Sequence, residues 1–183
     1  MKLTGCETLH CGAGWRNFSF LKLLTDEGLS GIAEYNESYG SKGLTGVIEA
    51  LVPAIVGCNP IAHEPISQQL YQMTRQAPGG INQQAIAAIE NAMMDIAGKA
   101  LEVPVWRLLG GKRREKIRLY ANLNRGTTDR SVEGFATAAK RAVEAGFRAI
   151  KCTPFDEVRH DNIDRDGIER DLNLGVARIA ACR

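Results

Sequence analysis

Ile86, Ile89, Met93, Ile96 and Ala100 recur three and four residues apart, which places them along one apolar face of an α-helix. Asn82 offers an N-cap oxygen ahead of that face, and Pro104, which cannot continue a helix, predicts an end near Glu102. A short helix from Val105 to Leu109 follows and stops on Gly110-Gly111, where a left-handed C-cap costs no side-chain clash. Upstream, Lys2 to Leu9, Phe18 to Thr25 and Leu29 to Glu34 are β-rich, and Asp26-Glu27-Gly28 is a turn, so a small antiparallel sheet is predicted. Two flexible loops accompany it, one glycine-rich from Cys11 to Asn17 between the first two strands and one polar from Asn36 to Gly43 after the third.

Helices are predicted over Leu44 to Leu51, Pro65 to Gln76 and Gln83 to Glu102, separated by Pro53, Gly57, Pro60 and the break Pro78-Gly79-Gly80. Ile66, Leu70, Met73 and Ala77 form the expected buried stripe of the middle one. Three strands followed by a run of helices is an α+β arrangement with its own core. After Gly111 the pattern changes. Ile117 to Leu123 reads as a strand, Ser131 to Ala145 as a helix capped by Ser131 and closed by Gly146, Ala149 to Thr153 as a second strand, and about Gly167 to Arg183 as a second helix. Strand–helix–strand–helix with short joints means parallel strands and right-handed crossovers.

Composition narrows the function classes. The chain has 183 residues, 44% hydrophobic and 24% charged, with a net charge of +2, so it can bury a core and carries too little positive charge to argue for nucleic acid. Lys112-Arg113-Arg114, followed by Glu115-Lys116, reads as a solvated linker. The start MKLTGCETLH has no apolar signal region and no run approaches the ~18 apolar residues of a membrane span, so a cytoplasmic protein is expected. Cys6, Cys11, Cys58, Cys152 and Cys182 are odd in number and form no CxxC pair, which favours reduced thiols. His10, His63 and His160 lack ligand spacing, so no zinc site is expected.

Two motifs fail on chemistry. Gly12 and Gly14 begin a GxGxxG phosphate fingerprint, but Asn17 stands where the third glycine belongs and no helix follows. Asn162, Asp164, Asp166 and Gly167 match the first half of a calcium loop, but Asn173 at the twelfth position cannot give the closing bidentate carboxylate.

The run AIENAMMDIAGKALEVPVWRLLGG, with its DIAGKA core and VPVWRLLGG exit, closely resembles the last capping-domain helix of the mandelate racemase/muconate lactonizing group of the enolase superfamily. The resemblance implies an α+β capping domain over 1–112, an antiparallel sheet plus a helical bundle. It also implies that 113–183 begins a modified TIM-type (β/α) barrel. A full barrel takes ~250 residues, and only about 70 follow Gly111. The first two β/α units are therefore expected, with the rest of the barrel absent from this chain.

The family's active sites lie at the carboxyl ends of the barrel strands, here Asn122-Leu123-Asn124-Arg125 and Lys151-Cys152-Thr153. Side chains alternate along a strand, so Lys151 and Thr153 share one face and Ile150 and Cys152 the other. A lysine inside a barrel needs an anionic partner, which a substrate carboxylate or enolate would provide; the plain alternative is an exposed strand-end lysine. Family members commonly carry Lys-x-Lys here, the first lysine lowering the pKa of the second, which takes the α-proton. This chain keeps Lys151 and has Thr153 at the second position, which cannot act as that base.

The departure argues against a two-base racemase and against lysine-dependent cycloisomerisation. The resemblance then implies a Mg²⁺-dependent lyase acting on a small carboxylate, an acid-sugar dehydratase, with the Mg²⁺ carboxylates and a histidine on later strands. Alternatives are a racemase or epimerase, a cycloisomerase, or a truncated non-catalytic binding or assembly module. Catalytic candidates are Lys151 and Thr153. Substrate-binding candidates are Trp15, Arg16, Tyr39 and Asn124, where Trp15, Arg16 and Tyr39 contact the distal part of substrate or are ordinary exposed loop residues. A homo-oligomer is implied for the complete protein.

Overall fold

Alternation of apolar and polar residues produces the sheet. Strands β1 (Leu3–Gly12), β2 (Asn17–Thr25) and β3 (Ser30–Tyr35) pair antiparallel in chain order. Their registers run from Leu3 opposite Thr25 to Gly12 opposite Asn17, and from Ser19 opposite Tyr35 to Leu24 opposite Ser30. On the inner face Leu21, Leu23, Ala33 and Tyr35 are buried. A computed structural model describes every residue except Trp15, Tyr39, Gly40, Arg125, Asn162 and residues 164–166.

Helix α3 (Gly80–Ala100) covers that face, and α1 (Leu44–Leu51) and α2 (His63–Met73) pack on α3, with a 3₁₀ turn over Val52–Ile55 after α1. Ile86, Ile89, Met93 and Ile96 of α3 are fully or almost fully buried, as their spacing predicts. At Gly31 a side chain is impossible, because a Cβ would sit 2.0 Å from the Ala92 carbonyl oxygen and 2.7 Å from Ile96 Cγ1. Asp95 completes the joint: its Oδ2 accepts from Ile32 N–H at 2.8 Å and from Lys99 Nζ at 2.6 Å, and Lys99 Nζ also donates to the Ser30 carbonyl at 2.7 Å.

Four details differ from the sequence expectation. β1 continues through Cys11 and Gly12, because β2 begins at Asn17 and pairs Phe18 with Cys11 and Asn17 with Gly12, so the connection between the strands is shorter than expected, and Ala13 N–H bonds the Arg16 carbonyl at 2.9 Å. α3 begins earlier, from Gly79 at φ 86°, and Asn82 is not its cap; the Asn82 amide donates to the Ala77 carbonyl at 2.9 Å. α2 ends at Met73, which is 50% exposed, and Ala77 lies beyond the helix and exposed, so Ser67 joins Ile66 and Leu70 on the buried stripe. α4 is Val105–Leu108, and Gly110 and Gly111 after it take positive φ as expected.

Residues Arg114–Arg183 form a second unit, distinct from Met1–Arg113. Its strands β4 (Ala121–Asn122) and β5 (Ile150–Lys151) are parallel, with Ala121 opposite Ile150 and Asn122 opposite Lys151. Both are far shorter than the apolar runs predict, because a ladder extends only where a partner answers it. Bonds from Ala121 N–H to Ala149 and from Leu123 N–H to Lys151, each 2.9 Å, bracket the pairing, and Ile117 outside it is 77% exposed. Helix α5 (Val132–Glu144) starts where expected, with Ser131 Oγ accepting from Gly134 N–H at 3.0 Å, and Gly146 follows it at φ 88°. Helix α6 (Ile168–Ala181) packs on α5. Among the described residues no helix is long and apolar enough to cross a membrane, and all five cysteines are free thiols.

Candidate functional site

Parallel pairing sets the carboxyl ends of β4 and β5 side by side. Alternation then sorts the residues around β5. Ile150 and Cys152 are half-buried against the cluster of Leu123, Ala139 and Ala142, while Lys151 and Thr153 are exposed. Asn124 follows β4, and its side-chain oxygen accepts the Thr153 N–H at 2.5 Å. The structure therefore brings Lys151, Thr153 and Asn124 together at one sheet end. A cleft of about 270 Å³ in the same unit, lined by Thr127, Thr128, Asp129, Thr137 and Arg141 among others, includes none of the three.

Two arginines hold this sheet end from beneath. Arg130, just before α5, donates through Nε and Nη2 to the two oxygens of Asp156 at 2.5 and 2.8 Å, through Nη2 to the Thr153 carbonyl at 2.6 Å, and through Nη1 to the Asn124 carbonyl at 3.2 Å. Arg178 of α6 is 3% exposed. Its Nε donates to the Arg130 carbonyl at 2.7 Å, its Nη1 to the Pro154 carbonyl at 2.6 Å, and Nη1 and Nη2 fork onto Glu157, both at 2.7 Å. Those bonds hold the Glu157 carboxyl below its ordinary range and push the Arg178 guanidinium higher still. The buried Phe135 ring lies against both guanidiniums, 4.5 Å from Arg130 and 5.5 Å from Arg178.

In the N-terminal unit, Arg16 is engaged by its own sheet. Its Nη2 pairs with Glu34 at 2.6 Å and its guanidinium lies 3.7 Å over the Phe18 ring. Trp15 and Tyr39 lie outside the described residues. The loop from Asn36 to Gly43, predicted to be flexible, is tied at several described points. Ser38 Oγ donates to the Asn17 carbonyl at 3.0 Å, Gly43 N–H to Glu37 at 2.7 Å, and the Thr45 hydroxyl to the other Glu37 oxygen. The Thr45 hydroxyl holds the Glu37 carboxyl below its ordinary range, while burial pushes the Tyr35 phenol up. Among the described residues no group of three histidine, cysteine or acidic side chains could hold a metal ion; Asn162, Asp164 and Asp166 of the calcium-like motif lie outside them.

Residues 11–110 match the family model of the mandelate racemase/muconate lactonizing enzyme N-terminal domain. The chain belongs to that family, within the enolase superfamily. A D-galactonate dehydratase of Verminephrobacter eiseniae is 31% identical over 183 residues, spanning 100% of this chain and 45% of the relative. A D-galactonate dehydratase family member of Halomonas elongata is 32% identical over 152 residues, 82% of this chain and 36% of its own. A solved structure from Burkholderia xenovorans, named as a candidate L-alanine-DL-glutamate epimerase and bound to magnesium and fumarate, superposes with a TM-score of 0.86 at 35% identity, covering 100% of this chain and 51% of that one. The chain thus spans about half, or less, of the length of the relatives it matches.

Sequence reasoning in this family member placed Lys151, Thr153 and Asn124 at the strand ends and did not anticipate the contacts that Arg130, Arg178, Asp156 and Glu157 make there. No short-range pattern marks them. Arg130 and Asp156 stand 26 residues apart, and Arg178 and Glu157 21 apart. The one available hint was Arg178 itself, an arginine four residues from each of the apolar positions Leu174 and Cys182 on one face of a helix.

Proposed function

We propose that this chain supplies the capping domain, 1–112, and the first two β/α units, 113–183, of an enzyme that removes the α-proton of a small carboxylate, an acid-sugar dehydratase. One observation carries the reading: Lys151 and Thr153 stand exposed together at the carboxyl end of β5, beside Asn124, while Ile150 and Cys152 turn to the helices. Relatives named D-galactonate dehydratases support the substrate class.

In this reading Lys151 faces the substrate carboxylate and stabilises the negative charge that builds when the α-proton leaves. Departure of the β-hydroxyl as water then gives an enol that tautomerises to a keto acid. Thr153 binds substrate through its hydroxyl and leaves proton abstraction to another group. Asn124 contributes through its amide nitrogen, its oxygen being bonded to Thr153 N–H. Trp15, Arg16 and Tyr39 are assigned to the distal end of the substrate. Magnesium, bound in the Burkholderia relative, would act as a Lewis acid on the carboxylate. The described residues of this chain do not form a ligand set for it.

The epimerase name of the Burkholderia relative favours a second reading, epimerisation, which needs a base on each face. Thr153 does not supply the one that the family's second lysine provides. The test uses the complete enzyme and a panel of polyhydroxylated acids, scoring water loss and α-deuterium incorporation in D₂O. Lys151→Met should lower kcat/KM by about 10²–10³, the usual loss for one such electrostatic contact. Near-full kcat/KM in that variant would remove Lys151 from the site, and no turnover of any acid by the wild type would remove the substrate class.

A further inference from the structure

We propose that Arg130 is a positioning residue that fixes the separation and tilt of the two strand ends carrying Asn124, Lys151 and Thr153. The inference rests on the reading of that sheet end as the active site.

β4 and β5 share only a two-residue ladder, so the chain beyond each strand needs another constraint. Arg130 supplies it from one planar group. Its guanidinium bonds the carbonyl of Asn124 after β4 and the carbonyl of Thr153 after β5, at 3.2 and 2.6 Å. Thr153 is then held through both of its backbone polar groups, because its N–H donates to Asn124 Oδ1 at 2.5 Å. The fork onto Asp156 fixes the guanidinium plane, and the buried Phe135 ring floors it. Arg178 bonds the Arg130 carbonyl, so the backbone of the clamp is anchored as well.

A guanidinium can do this and an ammonium cannot. Five donors in a rigid plane meet four acceptor oxygens in fixed directions, whereas a lysine is a single point charge on a flexible stem. Losing the fork should leave Lys151 present but displaced, and catalysis is sensitive to misplacement on the scale of 1 Å.

The test uses the complete enzyme with Arg130→Lys and Asp156→Asn, and Arg170→Lys as a control at an 84% exposed side chain of α6. Two readouts are taken: amide hydrogen exchange at Thr153, and kcat and KM on the acid that the wild type dehydrates. Arg130→Lys and Asp156→Asn should each speed Thr153 exchange by about tenfold or more, since a lost backbone constraint opens local structure. Arg130→Lys should lower kcat by about 10–100-fold while KM stays within a few fold, and the control should match the wild type. Wild-type exchange at Thr153 in both variants overturns the inference. If Arg130→Lys does not fold, the near-isosteric Asp156→Asn carries the exchange test alone. The underlying reading fails separately: it falls if Lys151→Met keeps its activity. If Lys151→Met is inactive and Arg130→Lys keeps the wild-type kcat, the site stands and the positioning role is overturned.

Discussion

Around α3 the N-terminal unit buries Leu21, Leu23, Ile48, Ile89, Met93 and Ile96 completely. Under β4 and β5 the buried apolar cluster is Leu123, Ala139 and Ala142, with half-buried residues such as Phe147 and Ile150 against it, and Arg130 and Arg178 add bonds to carbonyls, Asp156 and Glu157. The two constructions respond differently to damage. Apolar burial is non-directional and spread over many contacts, so one truncation costs stability while the neighbours still define the geometry. Charged hydrogen bonds are directional, and losing one partner leaves the other desolvated, so a single change alters both energy and geometry. The unit that carries the proposed strand-end site is thus the one whose shape depends on a few specified atoms.

Breaking the apolar side should give the largest loss of stability. Ile89→Ala in the centre of α3 is expected to cost about 2–5 kcal/mol by chemical denaturation, with Thr153 amide exchange unchanged below the unfolding transition. Accelerated exchange there would mean that the two units do not respond separately.

Breaking the polar side should cost less and do the reverse. Arg178→Met removes bonds to Glu157, Pro154 and the Arg130 carbonyl, a loss of about 2–3 kcal/mol with Glu157 partly rehydrated. Thr153 exchange should accelerate well before global unfolding. A variant as stable as the wild type, with unchanged exchange, would show that packing alone sets this sheet end.

The smallest effect is a pH dependence. Arg178 holds the folded-state Glu157 pKa below its ordinary value, so the carboxylate binds fewer protons folded than unfolded. Its contribution is full above about pH 4.3, the unfolded value, and is lost as pH falls through the lower folded value. Thermal unfolding between about pH 6 and pH 3 should show a steeper acid decline in the wild type than in Glu157→Gln, a difference below about 1 kcal/mol because the carboxylate is partly exposed. Identical profiles would show that this pair does not contribute to acid stability. Glu37, held down by Thr45 in the other unit, gives the matching control, since Glu37→Gln should leave Thr153 exchange alone.

What could be read along the chain was whatever depends on near neighbours. The buried face of α3, the three-strand meander, the Ser131 cap and Gly146 after α5 all follow from periodicities and turn chemistry confined to a few residues. The sides taken by Ile150 and Cys152 against Lys151 and Thr153 follow from the same alternation. Tertiary structure decided the remainder. Whether Asn82 or Gly79 begins α3, how far β4 and β5 pair, and where Arg16 spends its charge depend on groups that fold in from elsewhere. The strand-end clamp is the furthest case, with Arg178 bonding the Arg130 carbonyl across 48 residues. A hydrogen bond needs its two atoms within about 3 Å and aligned, and no local pattern carries that information across so long a separation.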